Sequence, residues 1–134
     1  MAKKKFLFTK GEISVDIPSR INTQVDWEPP TNIIDAGETA IIEVELPGVE
    51  KEDVSIVLEN DNTVIIRGVK PQPRVNEASR ITYQMFEREF GSFSRRIVID
   101  FPLDASKINS VMKNGVLTVK IPRKKNGPIS VEIK

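Results

Sequence analysis

The sequence of 134 residues contains neither cysteine nor histidine. The absence of cysteine excludes disulfides, thiolate metal ligands and cysteine nucleophiles. The absence of histidine removes the commonest general base and the commonest neutral metal ligand. We therefore predict that the protein is not an enzyme, has no catalytic residues and needs neither a cofactor nor a metal ion.

The remaining residue types with catalytic potential stand in no pattern that predicts a reaction. Adjacent acids such as Glu52-Asp53 are usually a solvated face, because a catalytic carboxylate pair needs burial to separate its two pKa values. Ser92 and Ser94 have no histidine to activate them, and Gly91-Ser92 lacks the spacing of a hydrolase elbow. The sequence also has no glycine-rich phosphate loop.

Long apolar runs and an excess of one charge are missing as well. The net charge of +1 provides no general attraction to nucleic acid or to an anionic membrane, so we predict neither as a partner. Phe6-Leu7-Phe8 is too short for the apolar core of a secretion signal, and no segment is long enough to span a bilayer. We expect a cytosolic protein with one modest core.

The pattern that is present is an alternation of apolar and polar residues with a period of two, typical of half-buried strands. Residues 41–46, 54–58 and 108–112 show this alternation. Residues 63–67, which are rich in β-branched side chains, and residues 81–86, 93–101 and 116–122 are further strand candidates. Turn residues separate them, and Asn114-Gly115 favours a type I′ hairpin. Many short strands between turns predict an antiparallel sandwich or barrel.

A further apolar alternation ends the sequence at Ile129, Val131 and Ile133. So short a strand is not stable alone in water, and it must dock on its own domain or on a neighbour. We therefore predict that this tail is a docking motif that connects subunits. Two registers are open, Ile129 with Val131 or Val131 with Ile133.

The first thirty residues form a separate zone that ends at Trp27-Glu28-Pro29-Pro30. Within it, Ile13, Val15 and Ile17 repeat the apolar order of the tail. We predict that this N-terminal run competes with the tail for the same groove. The alternatives are that it adds an ordinary strand or is disordered.

Five motifs stand in a fixed order along the rest of the sequence. They are Glu45-Leu46-Pro47-Gly48-Val49, then Glu52-Asp53-Val54, then Glu87 with Gly91, Phe93 and Arg95, then Asn114-Gly115-Val116-Leu117, and finally Ile121-Pro122. In order and spacing they resemble the α-crystallin domain of small heat-shock proteins, and the terminal apolar alternation agrees. The sequence most resembles the non-animal members of that family.

The resemblance implies an all-β, immunoglobulin-like antiparallel sandwich of about seven to eight strands. It divides the chain into an N-terminal arm at 1–30, the sandwich domain at 31–122 and a C-terminal extension at 123–134. A long loop at 70–80 would tether a strand at 81–86 that inserts into the partner's sheet. The tail would dock in a groove at the edge of a neighbouring dimer.

Two sets of site residues follow as expectations. The dimer interface is expected at Ile81, Tyr83, Phe86 and Arg95, although Arg95 also fits an ordinary arginine that faces solvent. The docking groove is expected on two strands, at Val54, Ile56, Leu58, Ile108 and Ser110. For Val54 and Ile108 the alternative is that they simply face the core.

The function that the resemblance implies is that of an ATP-independent chaperone, a holdase. Its partners would be further copies of itself, in dimers and larger homo-oligomers, and unfolding client proteins. The alternative is an adaptor on the same sandwich that serves an ATP-driven chaperone. Such adaptors generally lack the apolar tail, which favours the holdase.

Overall fold

The structure is a computed structural model that describes residues 3–7, 14–18, 25–72, 82–125 and 130–134. Almost all regular structure in these ranges is β. The strands are β1 (Lys3–Leu7), β2 (Ser14–Pro18), β3 (Thr31–Asp35), β4 (Thr39–Glu45), β5 (Val54–Glu59), β6 (Thr63–Lys70), β7 (Gly91–Val98), β8 (Asn109–Lys113) and β9 (Val116–Pro122). Single turns of 3₁₀ helix at Lys51–Asp53 and Ala105–Lys107 precede β5 and β8.

Seven of these strands form the antiparallel sandwich that the sequence predicts. One sheet has four strands in the order β3-β4-β9-β8, and the other has three in the order β5-β6-β7. All pairs within the two sheets are antiparallel. The edge strands are therefore β3 and β8 in the larger sheet and β5 and β7 in the smaller one.

The core lies between the two sheets, and strand periodicity explains which residues fill it. Alternate residues of a strand point to the same face. The side chains on the inner face of the central strands are almost fully buried: Ala40, Ile42 and Val44 on β4, Leu117, Val119 and Ile121 on β9, and Val64 and Ile66 on β6. On β4 and β9 the alternation in the sequence thus corresponds to one buried face, whereas β6 is buried at four consecutive residues, 63–66.

The tight turns also follow the prediction. Asn114 and Gly115 have φ angles of 53° and 75°, and two successive positive values are what a type I′ turn requires. Asn60 and Asp61, between β5 and β6, have φ angles of 56° and 59°. Short polar side chains tolerate this left-handed region better than most others.

Within the sandwich region, two strand assignments differ from those made on the sequence, and β1 was not predicted either. β3 was not predicted, because its only apolar residues, Ile33 and Ile34, are too few to show a period. Conversely, residues 82–90 form no strand within the single chain, and Ile81 lies outside the described residues. A strand needs a hydrogen-bonded neighbour, and this segment pairs with none among the described residues.

The N-terminal strands form a separate two-stranded antiparallel sheet. β1 pairs with β2 in a register that joins Lys3 to Pro18 and Leu7 to Ser14. The backbone of Val15 and Ile17 therefore already has a strand partner, whereas Ile13 lies outside the described residues.

The segment that leads into the sandwich is fixed to β7. The backbone N–H groups of Asp26 and Trp27 donate to the Ser92 carbonyl, at 2.8 and 3.3 Å. The Trp27 indole N–H donates to the Gly91 carbonyl at 3.1 Å, and the ring packs edge-to-face on Phe93 with centroids 5.4 Å apart. Trp27 is only 4% exposed, so the segment closes part of the free edge of β7.

The same place requires glycine at position 91. Gly91 has a φ of +97°, and a Cβ there would collide with the Asp26 carboxylate. That carboxylate accepts hydrogen bonds from both the backbone N–H and the hydroxyl of Ser92, at 2.8 and 3.1 Å. Lys70 lies over the Trp27 ring at 5.5 Å, and burial lowers the pKa of its amine.

Candidate functional site

The features that bear on function are the edges of the two sheets. An edge strand presents unpaired backbone groups and invites another chain to pair with it. The edge of β7 is partly covered by Asp26 and Trp27, which form a bridge to Phe93. The edges of β3, β5 and β8 carry no such cover in the part of the chain that the structure describes.

The β5 edge shows the alternation predicted for a docking groove. Val54, Ile56 and Leu58 are half-buried and pack against the core, while the residues between them are exposed. Their partners on β6 are Gly68, Ile66 and Val64, so all three side chains lie on the core side of the sheet. These side chains face the core and are also partly exposed to solvent. Packing against the core and lining a docking groove are therefore compatible interpretations.

The β8 edge carries a matching row. Ile108 and Met112 are half-buried and pack against the same core. Ser110 lies opposite Val119, a fully buried residue, and so belongs to the core face of the sheet, yet it is exposed. A small side chain between two larger apolar ones leaves a notch. Met112 was not among the predicted groove residues, although it continues the alternation of Ile108 and Ser110.

The tail is exposed wherever it is described. Residues 130–134 form no regular structure, and Val131 and Ile133 are 80% and 95% exposed. Ile129 lies outside the described residues. The tail therefore does not bury Val131 or Ile133 on its own domain.

The segment predicted to enter the dimer interface packs on itself instead. The rings of Tyr83 and Phe86 meet edge-to-face at 5.2 Å, and Phe86 and Phe90 lie 5.8 Å apart. The Gln72 side-chain amide donates to the Tyr83 hydroxyl at 3.3 Å. Met85, between the aromatic residues, is 73% exposed. The segment thus holds a folded-back conformation with apolar surface facing solvent.

Arg95 forms an ion pair within its own chain. Its Nη1 lies 3.1 Å from Glu28 Oε2, with the two side chains 32% and 65% exposed. Pairs this open to solvent contribute about 0–1 kcal/mol. The predicted role of Arg95 in a dimer stays a prediction, and Glu28 is the partner that sequence reasoning could not name, because 67 positions separate the two.

β3 presents a different kind of edge. Ile33 and Ile34 are 54% and 40% exposed, and β3 pairs only with β4 among the described strands. Ile33 lies opposite Ile42, which is fully buried, so it belongs to the core face but extends beyond the cover of the smaller sheet.

Other site types have no representative in the described ranges. No group of three potential metal-ligating side chains occurs there. The described residues also include no helix long and apolar enough to cross a membrane.

Comparison with known proteins decides the family. The model of the Hsp20/alpha crystallin family matches residues 32–134, which include all but the first residue of the sandwich and also the tail. The chain belongs to this family. Its motifs were therefore interpreted correctly from the sequence.

The individual relatives of this small heat-shock protein agree with that assignment. Heat shock protein 16 of Schizosaccharomyces pombe is 37% identical over 111 residues, 81% of this chain and 77% of the relative. Small heat shock protein C2 of Rickettsia felis is 32% identical over 118 residues, 87% and 75% of the two chains. The structure of heat shock protein 16.0 from Schizosaccharomyces pombe superposes with a TM-score of 0.66 at 35% identity, covering 81% of this chain and 99% of that one.

Family membership confirms the predicted sandwich and assigns the general role of a small heat-shock chaperone.

Proposed function

We propose that this small heat-shock protein is an ATP-independent holdase, which binds unfolding proteins and assembles from dimers into larger homo-oligomers. The observation that carries the proposal is an exposed apolar tail in the same chain as a half-exposed apolar edge. Val131 and Ile133 are nearly free of contacts, while β5 and β8 present half-buried aliphatic side chains. One chain therefore carries both parts of a contact that it does not make with itself.

The dimer forms by strand exchange in this proposal. Residues 81–86 add to the β3 edge of the partner, with Ile81, Tyr83 and Phe86 in the interface, and the ring contacts of Tyr83 and Phe86 within their own segment are given up. β3 is the acceptor because β7 is partly covered and β5 and β8 form the groove. Exposed Ile33 and Ile34 would then be covered.

The tail joins dimers into oligomers. Two of its residues, in either register, enter the groove of Val54, Ile56 and Leu58 on β5 and Ile108, Ser110 and Met112 on β8. Burying an aliphatic side chain contributes about 1.5–3 kcal/mol before the cost of ordering the tail. One tail is therefore weakly held, and many tails acting together are strong.

Client binding requires apolar surface that assembly hides. Release of tails and exchange strands exposes the groove, Ile33, Ile34 and Met85, an apolar area that a monomeric protein rarely leaves open. Unfolding proteins then compete for these positions.

The test is the aggregation of a heat-labile client protein, followed by light scattering with and without this protein. We expect suppression at equimolar subunits without nucleotide, and no suppression would contradict the proposal. Static light scattering of the protein alone separates the two candidate functions, because a strictly monomeric protein would favour the adaptor. The cytosol remains the predicted compartment.

The N-terminal run is proposed as a competitor of the tail. Val15 and Ile17 belong to β2, whose pairing with β1 leaves one strand edge for a second partner. Main-chain pairing supplies much of the affinity in strand addition, so a groove for alternate aliphatic residues distinguishes the two segments weakly. Competition would make the assembly labile.

A further inference from the structure

We propose that Arg123 is a positioning residue that fixes the direction in which the C-terminal extension leaves the sandwich. The inference rests on the proposed docking of the tail and adds the device that aims it. The root of the extension, defined here as residues 123–125, directly follows β9.

Backbone hydrogen bonds hold the root on both sides. The Arg123 N–H donates to the Glu38 carbonyl in the turn between β3 and β4, at 2.7 Å. The Lys124 N–H donates to the Pro102 carbonyl at 2.9 Å, and the Asp104 N–H donates to the Pro122 carbonyl at 2.8 Å. The chain therefore does not become free at the end of β9. It continues between two segments that belong to the folded domain.

The Arg123 side chain adds a second layer of contacts. Its guanidinium lies over the ring of Phe101, 3.9 Å from the ring centroid, and its Nε–H donates to the Gly37 carbonyl at 3.3 Å. Phe101 is only 8% exposed, so the guanidinium covers a ring of the core. One side chain thus joins the root to the turn at Gly37 and to the segment after β7.

Fixing the root matters because the tail acts as a tethered ligand. The effective concentration of the tail at a neighbour's groove depends on how closely its starting point and direction match the span. A root with one direction restricts the chain before docking, so less conformational entropy is lost on docking. Arg123 therefore strengthens tail docking without touching the groove.

The chemistry of the side chain makes the role specific to arginine. A planar guanidinium stacks on an aromatic ring and keeps an Nε–H free to donate, whereas a lysine amine is a point charge without that geometry. Arg123→Lys keeps the charge and loses the stacking, so we expect it to behave more like Arg123→Ala than like the unchanged protein.

The experiment uses the full-length protein and a free peptide of residues 126–134 as a competitor. Peptide is added to the oligomer, and the concentration that halves the oligomer population is measured by size exclusion with light scattering. We expect Arg123→Ala to need about two- to fivefold less peptide, the range given by a cation–π contact at an exposed site. Lys120→Ala, which removes a charge from an exposed position on β9, is the matched control and should need the unchanged concentration.

The outcomes separate the inference from the proposed function. If the peptide disassembles the unchanged protein, Arg123→Ala and Lys120→Ala at equal concentrations, tail docking stands and the role of Arg123 is overturned. The same conclusion follows if Arg123→Ala and Lys120→Ala lower the required peptide concentration equally. If the peptide leaves the unchanged oligomer intact at any concentration, tail docking itself fails, and the inference fails with it. A melting curve followed by circular dichroism completes the test. Equal melting temperatures with a lowered peptide concentration show positioning, whereas parallel losses show general destabilisation and contradict the inference.

Discussion

The two kinds of open edge in this sandwich differ in what they offer a partner. On β3, four of five residues are exposed, and two of these are the large apolar side chains of Ile33 and Ile34. On β5, half-buried and exposed residues alternate strictly. β3 thus offers a free backbone to a whole strand, whereas the groove proposed on β5 and β8 would also offer separate places for single aliphatic side chains.

This difference sets a hierarchy of contact strengths. A strand that adds to β3 gains several backbone hydrogen bonds, each worth about 0.5–1.5 kcal/mol net, together with the burial of its side chains. A tail in the proposed groove gains two aliphatic side chains and the backbone pairing of only a few residues. We therefore expect a persistent dimer and a labile oligomer, and the variants below test that order.

The largest effect is expected from removing the exchange strand. Deletion of residues 81–86 should yield monomers, measured by size exclusion with light scattering. The double substitution Ile33→Asp and Ile34→Asp on the acceptor edge should do the same, because both side chains are exposed and the fold does not need them. Val98→Asp is the control, since Val98 is 59% exposed but lies on β7. Dimers that persist in both variants place the contact elsewhere.

The next effect concerns the tail. Val131 belongs to both registers, so Val131→Gly should leave dimers, as should removal of residues 129–134. The physical reason is the loss of one buried aliphatic side chain per tail, about 1.5–3 kcal/mol, repeated over every tail of the oligomer. Sedimentation velocity measures the size. A truncated protein that remains a large oligomer would contradict the proposed docking of the tail in the groove.

A substitution in the groove is expected to act more narrowly. Ser110→Trp should fill the notch between Ile108 and Met112 and prevent docking, while the exposed position spares the fold. The expected result is dimers with an unchanged circular dichroism spectrum. Asn109→Trp on the same strand is the control, because neighbouring residues on a strand point to opposite faces. An unchanged oligomer size with an intact fold counts against the groove.

The smallest effect is expected at Arg95, where the two interpretations can be separated. Glu28→Gln removes only the exposed ion pair and should cost less than about 1 kcal/mol. Arg95→Ala should cost about 1–3 kcal/mol in dimer dissociation if it also leaves an acceptor of the partner unsatisfied. Dilution measurements of dimer dissociation give both numbers. If Glu28→Gln and Arg95→Ala lower the free energy of dimer dissociation equally, Arg95 contributes only its ion pair with Glu28.

Sequence reasoning predicts a feature of this molecule when a local pattern of residues determines that feature. The strands β4, β5, β8 and β9 follow from alternation and turn residues, because each has one face in the core. β6 follows from its β-branched residues, which are buried on both faces at 63–66. β3 does not, because its only apolar residues, Ile33 and Ile34, are too few to show a period.

Contacts between residues that are distant in the sequence could not be predicted, because they leave no local pattern. The ion pair of Arg95 with Glu28 joins positions 67 residues apart, and the contact of Arg123 with Gly37 joins positions 86 apart. Neither has a local pattern. The half-burial of the apolar residues on β5 and β8 was within reach, because they repeat every second position, and Met112 was available to the same argument. Their role as a groove stays a prediction.

The burial of Trp27 gives this protein its own optical reporter. Trp27 is the single tryptophan, and it lies against Phe93, under the Lys70 amine, with its indole N–H bound to Gly91. If the segment that contains Asp26 and Trp27 detaches from β7, the indole becomes exposed to water and its fluorescence emission moves to longer wavelength. If the assembly changes and that segment stays in place, the emission stays blue. The emission wavelength of Trp27 therefore distinguishes detachment of the N-terminal arm from exchange of subunits, without an added label.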